Sequence, residues 1–538
     1  MRVSLAQIDS SLGRFSENAE KILLYVNRSA EKHIDIVVFP ESALFGYHPF
    51  DLLEQKKVVA SQLVHIKTIE KKIPAGILVV FGAITVNSKS KGKPYFNSAI
   101  VLEKGKKTRV YNKQLLPTGD VFDEARFIET GDTSKNILSF KGKKILITIC
   151  EDIWAWDTKL NTSKYHFNPL QKIKGKKLDL VINISASPFF SEKEKVRLEL
   201  VQKCVKHFKC PMVYVNMVGA QDEIIFDGFS FAVDVKGKLI ARASRFEEDL
   251  CVVDFKKGEG ELRPSDSKRL ENLRLALILG ISDFCKKTGF TKVHLGISGG
   301  IDSTLVACLA VEAMGPGNVT LISMPTKFNL GISEELSMKL AKNLNCKIIS
   351  IPIQDLFQNY TKLFEDSYSI KDFSLVHENI QPRIRANLLM AFSNHSGSLL
   401  LNTSNKSELA CGYSTLYGDS CGGLSPIGDL IKTDVYALSK HYNAEYEVIP
   451  EKIISRPASA ELKENQKDQD TLPEYDILDA SVVKIVENGE DAKSKTDHWL
   501  FSMLLKTEFK RWQAPPILKV TKHSFGRGRR WPVAVKID

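Results

Sequence analysis

The sequence predicts two α/β domains in series: a layered α/β domain over residues 1–255, a charged linker over 256–269, and a doubly wound parallel-sheet domain over 270–538. Three observations carry this expectation. The 538 residues suffice for two or three cored domains of roughly 100 to 250 residues each. The first half mixes short β-rich runs with amphipathic stretches, as layered α/β domains do. The second half follows a β-loop-α-β-α-β order at spacings suited to parallel crossovers.

In the first half VSLAQI, DIVVF, GILVVFGAI, KILITIC, LDLVINIS, CPMVYVNMV and FSFAVDV are strand candidates, and residues 18–32 carry a helical apolar period. The run KKGEGELRPSDSKR is charged, contains glycine and proline and is low in apolar residues, which marks the linker. After an opening helix, the second half runs TKVHLGI, STLVACLAVEAMG, VTLISMP, SEELSMKLAKNLN and KIISIPI. Ligands of such a sheet are expected at the carboxyl ends of its strands, where helix N-termini converge.

Composition excludes several classes. Hydrophobic residues make up 43% and charged residues 26%, a globular balance. No apolar run approaches the roughly 18 residues of a membrane span, and the N-terminal stretch lacks the long apolar region of a signal peptide, so a cytoplasmic protein without a membrane partner is expected. Nine cysteines without a C-x-x-C pair and eleven histidines without H-x-H or H-E-x-x-H spacing leave a metal to oxygen ligands. The net charge of +11 fits nucleic acid, anionic lipid or phosphorylated small substrates. The lysine clusters at 104–107, 141–144 and 172–177 read as solvated turns, and only FGRGRR near the C-terminus is locally dense. Aromatic stacking motifs and a long basic arm are absent, so nucleic acid is not expected as a partner.

Directly after KVHLGI comes Ser298-Gly299-Gly300-Ile301-Asp302-Ser303 and then a helix. Paired glycines let backbone N–H groups approach a phosphate, the helix N-terminus favours an anion, and Ser298 and Ser303 add hydroxyl donors. A bare S-G-G turn also caps helices. Asp302 would repel a phosphate unless a cation such as Mg²⁺ bridged them. Downstream, the polar run NTSNKSE places Thr403 and Glu408 where a βα loop is expected, Glu408 as a second metal carboxylate and Thr403 as a nucleotide contact. In ENIQPRIR the two arginines stand at i and i+2, on different helix faces, so at most one need meet a phosphate.

The full S-G-G-x-D-S string resembles the PP-loop of the ATP pyrophosphatase superfamily, which adenylates a substrate and releases pyrophosphate. With ENIQPRIR, NTSNKSEL, YGD, IKTDVYAL, PASAEL and the terminal PPILKVTKHSFGRGRR, residues 270–538 resemble the synthetase domain of the NAD synthetases. The resemblance implies that the nicotinate carboxylate of deamido-NAD attacks the α-phosphate of ATP, and that ammonia converts the adenylate to the amide. It implies ATP contacts at Gly296, Ile297, Ser298, Gly299, Gly300, Ile301, Asp302, Ser303, Thr403, Lys432 and Ser459. It further implies Mg²⁺ ligands at Asp302 and Glu408, and deamido-NAD contacts at Asn379, Glu408 and Lys519. The basic tail from Lys519 to Arg530 reads as a lid over the phosphates of the dinucleotide.

The first half offers an ammonia source. Cys150 ends the strand candidate KILITI where the chain turns polar, a position suited to a nucleophile. Such a thiol needs a base and a cation for its oxyanion. Glu41 in FPES, Lys113 in YNKQLLP and Cys150 in CEDIW resemble the Glu-Lys-Cys triad of the nitrilase superfamily, whose fold is an α-β-β-α sandwich and which hydrolyses amides through a thioester. The resemblance implies Glu41 as general base, Lys113 as oxyanion stabiliser, Glu124 as the second glutamate beside the triad, and Ser187 and Lys193 as glutamine contacts. Gly119, in LPTGDVF, stands among the glutamine-binding positions where many relatives carry an aromatic residue.

A nitrilase-type glutaminase ahead of a PP-loop synthetase resembles the glutamine-dependent NAD synthetase family, which implies an internal ammonia path and a homo-oligomer. GMP synthetases, with a Cys-His-Glu glutaminase, and asparagine synthetases, with a cysteine directly after the initiator methionine, fit poorly, since this chain has Arg2 there.

Overall fold

The structure is a computed structural model that describes every residue except 90, 157–164, 174–176, 266–267, 330, 530, 534 and 536–538. The middle of the 172–177 lysine cluster, Asp266 and Ser267 of the expected linker, and Arg530 of the expected lid therefore lie outside the described residues. The chain divides into two compact units, 1–266 and 267–538.

In the first unit the period-two alternation of each strand decides which sheet face meets which layer. Val3, Leu5, Ile36 and Val38 point to one face, and so do Ile145, Ile147 and Ile149 of a second sheet. These residues share one buried core between a seven-stranded and a six-stranded sheet. The alternate residues Ala6 and Val37 pack with the helices Phe15–Glu31 and Lys56–Lys72. Leu146 and Val181 pack under the helix Lys193–Phe208 on the outer face of the second sheet. This is the α-β-β-α sandwich that the resemblance implied.

Each strand candidate forms at least in part: Arg2–Gln7, Ile36–Val38, Leu78–Val86, Lys143–Ile149, Leu180–Ser185, Met212–Asn216 and Phe231–Val233. The sequence reading omitted several antiparallel strands, chiefly Tyr95–Glu103, which pairs with Leu78–Val86 along its whole length. Its alternation is broken by Asn97 and Ser98, both buried, because Asn97 belongs to the site rather than the core. The start of the expected linker also differs from a free tether. Glu259–Gly260 pairs with the strand Asp249–Asp254 as the outermost strand of the sheet, and its charge reflects an exposed edge. The helix Arg269–Thr288 then opens the second unit.

The second unit is built on a parallel sheet in the order Lys347–Ser350, Val319–Ser323, Val293–Gly296, Leu399–Leu400. The helices Ile301–Met314 and Gly331–Asn343 are its first crossovers. The helix Leu375–Ser396 reaches the sheet through Leu389, whose carbonyl lies 3.0 Å from Nε2 of buried His294. Strand order reverses beside Val293–Gly296, since the chain first builds outward to Lys347–Ser350 and then returns to place Leu399–Leu400 on the other side. A crevice at the carboxyl ends is the consequence. Helices Lys406–Cys411, Tyr475–Val482 and Lys495–Arg511 form a separate apolar cluster with Leu409, Leu478, Leu500 and Leu504. Among the described residues no helix is long and apolar enough to cross a membrane.

One glycine sets how closely the first unit can bring its site residues to the sheet. A Cβ on Gly82 would lie 2.0 Å from the Ser42 nitrogen and 2.5 Å from the Glu41 carbonyl carbon, both backbone atoms. Gly82→Ala is therefore expected to destabilise the first unit by about 1–3 kcal/mol through overpacking. Urea unfolding followed by tryptophan fluorescence checks this, and an unchanged midpoint would show that the Glu41 segment can move away freely.

Candidate active sites

In the first unit the site residues follow the carboxyl ends of two strands of each sheet. Glu41 follows Ile36–Val38, Lys113 follows Arg109–Asn112, Cys150 follows Lys143–Ile149 and Ser187 follows Leu180–Ser185. Lys113 Nζ donates to Glu41 Oε1 at 2.8 Å and to Glu124 Oε1 and Oε2 at 2.7 and 2.9 Å. Asn97 Nδ2 donates to the same Glu41 oxygen at 2.7 Å, and the Ala186 N–H donates to Glu41 Oε2 at 2.8 Å. Tyr47 Oη donates to Glu124 Oε1 at 2.7 Å. All three charged side chains are buried, so Lys113 offsets the desolvation of the two carboxylates and they offset that of the ammonium.

The two carboxylates are not equivalent. Burial pushes Glu41 up, and the negative charge of Glu124 adds to this despite Lys113. Burial also pushes Glu124 up, but it is outweighed by Lys113 and His48 and by hydrogen bonds from Lys113 and Tyr47, and the group ends below its usual range. Burial would strip the proton from Lys113, yet Glu124 and Glu41 outweigh it and hold the ammonium well above its ordinary value. Burial and Glu41 push the Cys150 thiol well above the usual range, so it is a neutral thiol in the free protein. Cys150 has a φ of +38°, left-handed backbone that a side chain rarely adopts and that sites tend to hold under constraint.

Ser187 is fixed by buried groups. Its N–H donates to Asn216 Oδ1 at 2.8 Å, its carbonyl accepts from Arg197 Nη2 at 2.7 Å, and Arg197 in turn pairs with Asp227 at 2.8 Å. Lys193 Nζ lies 5.3 Å from the Trp154 ring centre and 4.9 Å from that of Phe190. Gly119 sits in a turn closed by the Phe122 N–H on its carbonyl at 3.1 Å. Sequence reasoning missed Asn97, Tyr47, Arg197 and Asn216. A polar break inside a β-rich run could have flagged Asn97, whereas nothing local distinguishes Tyr47.

In the second unit the loop after Val293–Gly296 folds on itself. Ser298 Oγ lies 3.2 Å from Ser303 Oγ and accepts from the Gly300 N–H at 3.2 Å. Gly299 has a φ of +73°, and a Cβ there would lie 2.4 Å from the Ser333 carbonyl oxygen, so only glycine fits. Gly300 precedes and Ile301 begins the helix Ile301–Met314, whose free N–H groups face this loop. The loop opens into a cavity of about 240 Å³ at the strand carboxyl ends, lined by Gly296, Ile297, Ser298, Ser303, Thr403 and Ser459 together with Arg385, Arg456 and Glu461.

Beside it Lys432 Nζ bridges two carboxylates, at 2.6 Å from Asp302 Oδ2 and 3.1 Å from Glu408 Oε1. Asn405 holds their other oxygens, its Nδ2 donating to Asp302 Oδ1 at 2.8 Å and its N–H to Glu408 Oε2 at 3.4 Å. Burial, joined by repulsion from Asp302, pushes Glu408 up to about 8 even with Lys432 beside it. Two carboxylates converging on a cation next to a phosphate-type loop are a donor set that fits Mg²⁺, with the Lys432 ammonium standing where a cation would be held.

Asn379 and Lys519, expected as contacts of deamido-NAD, are not part of this cavity's lining. Asn379 Oδ1 accepts from Thr415 Oγ1 at 2.8 Å. Lys519 is buried, with Nζ donating to the Thr521 and Lys522 carbonyls at 2.6 and 3.0 Å, and Asp429 Oδ2 holds the next two N–H groups at 2.8 and 2.6 Å. The start of the expected lid is thus tied to the unit. The arginines of ENIQPRIR diverge as their spacing requires: Arg383 Nε donates to the Leu416 carbonyl at 3.2 Å and Arg385 Nε to the Met324 carbonyl at 3.0 Å. Arg385 is the one at the cavity, where burial lowers it to about 10.

Comparison with known proteins agrees with both halves. The carbon-nitrogen hydrolase family model matches residues 2–263, and the NAD synthase model matches residues 275–514. The chain is 40% identical to the glutamine-dependent NAD(+) synthetase of Synechocystis sp., over 99% of this chain and 98% of the relative. It is 36% identical to that of Xanthomonas campestris pv. campestris, over 99% and 97%. The structure of glutamine-dependent NAD+ synthetase from Acinetobacter baumannii in complex with ADP matches with a TM-score of 0.77 at 30% identity, covering 99% of this chain and 98% of that one. The enzyme of that name from Cytophaga hutchinsonii shares the fold, with a TM-score of 0.83 at 20% identity over 99% and 97%. Matched end to end by relatives of this identity, and carrying both family domains in order, the chain belongs to the glutamine-dependent NAD(+) synthetase family.

Proposed function

We propose that the chain amidates deamido-NAD to NAD+ with ATP as co-substrate, drawing ammonia from glutamine hydrolysed at Cys150. The observation that carries this reading is the buried Glu41-Lys113-Glu124 cluster among the strand ends, where Cys150 also emerges. A neutral thiol needs a base, and Glu41, raised by burial, is the carboxylate able to take its proton. Glu124 anchors Lys113 through both oxygens, so the ammonium stays charged and can stabilise the oxyanion formed when Cys150 attacks the glutamine amide. Glu41 then returns the proton to the departing ammonia, and water, deprotonated by the same carboxylate, cleaves the thioester to glutamate. Ser187 and Lys193 hold the glutamine, with Gly119 at the edge of its pocket.

In the second unit the backbone of Gly296 to Ser303, with Thr403 and Ser459, receives ATP, while Asn379, Glu408 and Lys519 belong to the deamido-NAD side. Asp302 and Glu408 would hold Mg²⁺, which when bound neutralises charge on the phosphates. Lys432, released from the carboxylates, turns to the phosphates. The nicotinate carboxylate attacks the α-phosphate and pyrophosphate leaves. Ammonia then attacks the adenylated carbonyl, and AMP departs as the amide forms. Internal ammonia transfer, a homo-oligomeric state and a cytoplasmic location complete the reading.

Three outcomes test it. Cys150→Ala is expected to lose glutamine-supported NAD formation and keep the ammonium-supported reaction, both assayed with deamido-NAD, ATP and Mg²⁺. Absence of NAD with either donor in the wild type would overturn the synthetase assignment. Glutamate release should fall as pH drops through the raised pKa of Glu41, because its protonated form cannot accept the thiol proton. A midpoint no higher than the ordinary carboxylate value of about 4.3 would count against Glu41 as base. Asp302→Asn is expected to slow NAD formation from both donors by about 100-fold or more, as loss of a preorganised charge does. Retention of either rate would remove Asp302 from the chemistry.

A further inference from the structure

We propose that Asp152 is a positioning residue that locks the strand ends carrying Lys113 and Cys150 to each other; this rests on the reading of Cys150 as the nucleophile. Lys113 leaves the seven-stranded sheet and Cys150 the six-stranded one. Between the sheets lies an apolar core whose attraction is non-directional, and a reaction geometry held to fractions of an ångström needs directional bonds as well.

Asp152 supplies them. It lies in the short helix Cys150–Trp156 and is fully buried. Its Oδ1 accepts from the Gln114 and Leu115 N–H groups at 2.9 and 3.0 Å, immediately after Lys113. Its Oδ2 accepts from the Ile149 N–H at 3.0 Å, immediately before Cys150. One rigid carboxylate therefore joins the residues flanking the ammonium to the residue flanking the thiol. The Ile149 bond also spans Cys150 itself, whose φ of +38° persists only where the surroundings over-determine it. Both oxygens are spent on backbone donors, so Asp152 acts through the placement of its neighbours.

The charge state matters to this role. A carboxylate accepts at every lone pair, whereas an amide of the same shape turns one acceptor into a donor that must face an N–H. Asp152→Asn therefore breaks one side of the clamp without changing volume.

The experiment compares wild type, Asp152→Asn and Cys150→Ala in the full chain, measuring kcat and KM for glutamine and the ammonium-supported rate of NAD formation. Asp152→Asn is expected to lower kcat with glutamine by about 10- to 100-fold, as misplacement of reacting groups does. KM for glutamine and the ammonium-supported rate should stay within about threefold, which a mere loss of folded protein would not produce. An unchanged kcat in Asp152→Asn, with the glutamine reaction abolished in Cys150→Ala, overturns the role of Asp152 alone. Glutamine turnover surviving in Cys150→Ala overturns the underlying nucleophile reading. If Asp152→Asn does not fold, amide exchange in the wild type decides: slow exchange at Gln114, Leu115 and Ile149 supports the clamp, and exchange as fast as at exposed loops overturns it.

Discussion

The first unit depends on one buried ammonium. Lys113 has no solvent to share its charge, so its protonation requires Glu41 and Glu124, and their burial is tolerable only because Lys113 lies between them. Removing Lys113 leaves two carboxylates facing each other in a dry site with no cation between them. The sharing is unequal: Glu124 takes two bonds from the ammonium and one from Tyr47 and ends below its usual range, whereas burial holds Glu41 above it.

The second unit repeats the arrangement of a lysine between two acids and sets it in a different environment. The side chains of Asp302 and Glu408 remain 19% and 17% exposed, against 0% and 2% for Glu41 and Glu124. The pair in the second unit thus keeps some solvent beside its cavity, whereas the cluster in the first unit has almost none. Position reinforces the difference. The reversal of strand order places the phosphate-type loop and NTSNKSE at adjacent carboxyl ends, and Asn405 links Asp302 to the Glu408 helix.

Much of the candidate site was legible because its members stand at strand ends, where an apolar run stops and a polar residue follows. Cys150 after KILITI and Ser298 after KVHLGI carry that signal in the chain itself. Asn97 carries it only as an interruption inside a strand, so the strand Tyr95–Glu103 was passed over together with its role. Asp152 lies two residues from Cys150 in sequence, yet its partners at 114 and 115 are far along the chain, so its contacts are invisible in sequence.

Local pattern by itself determined the two α/β units, the strand-end position of Cys150 and the glycine loop, because periodicity, backbone freedom and motif spacing are properties of neighbouring residues. Tertiary structure alone decided how charge is shared. Which carboxylate Lys113 holds more tightly, which arginine of ENIQPRIR faces the cavity, and that the Lys519 ammonium turns to backbone carbonyls all depend on burial and on partners distant in sequence. Desolvation and Coulomb energies follow from three-dimensional distance and exposure, and neither is written in the order of residues.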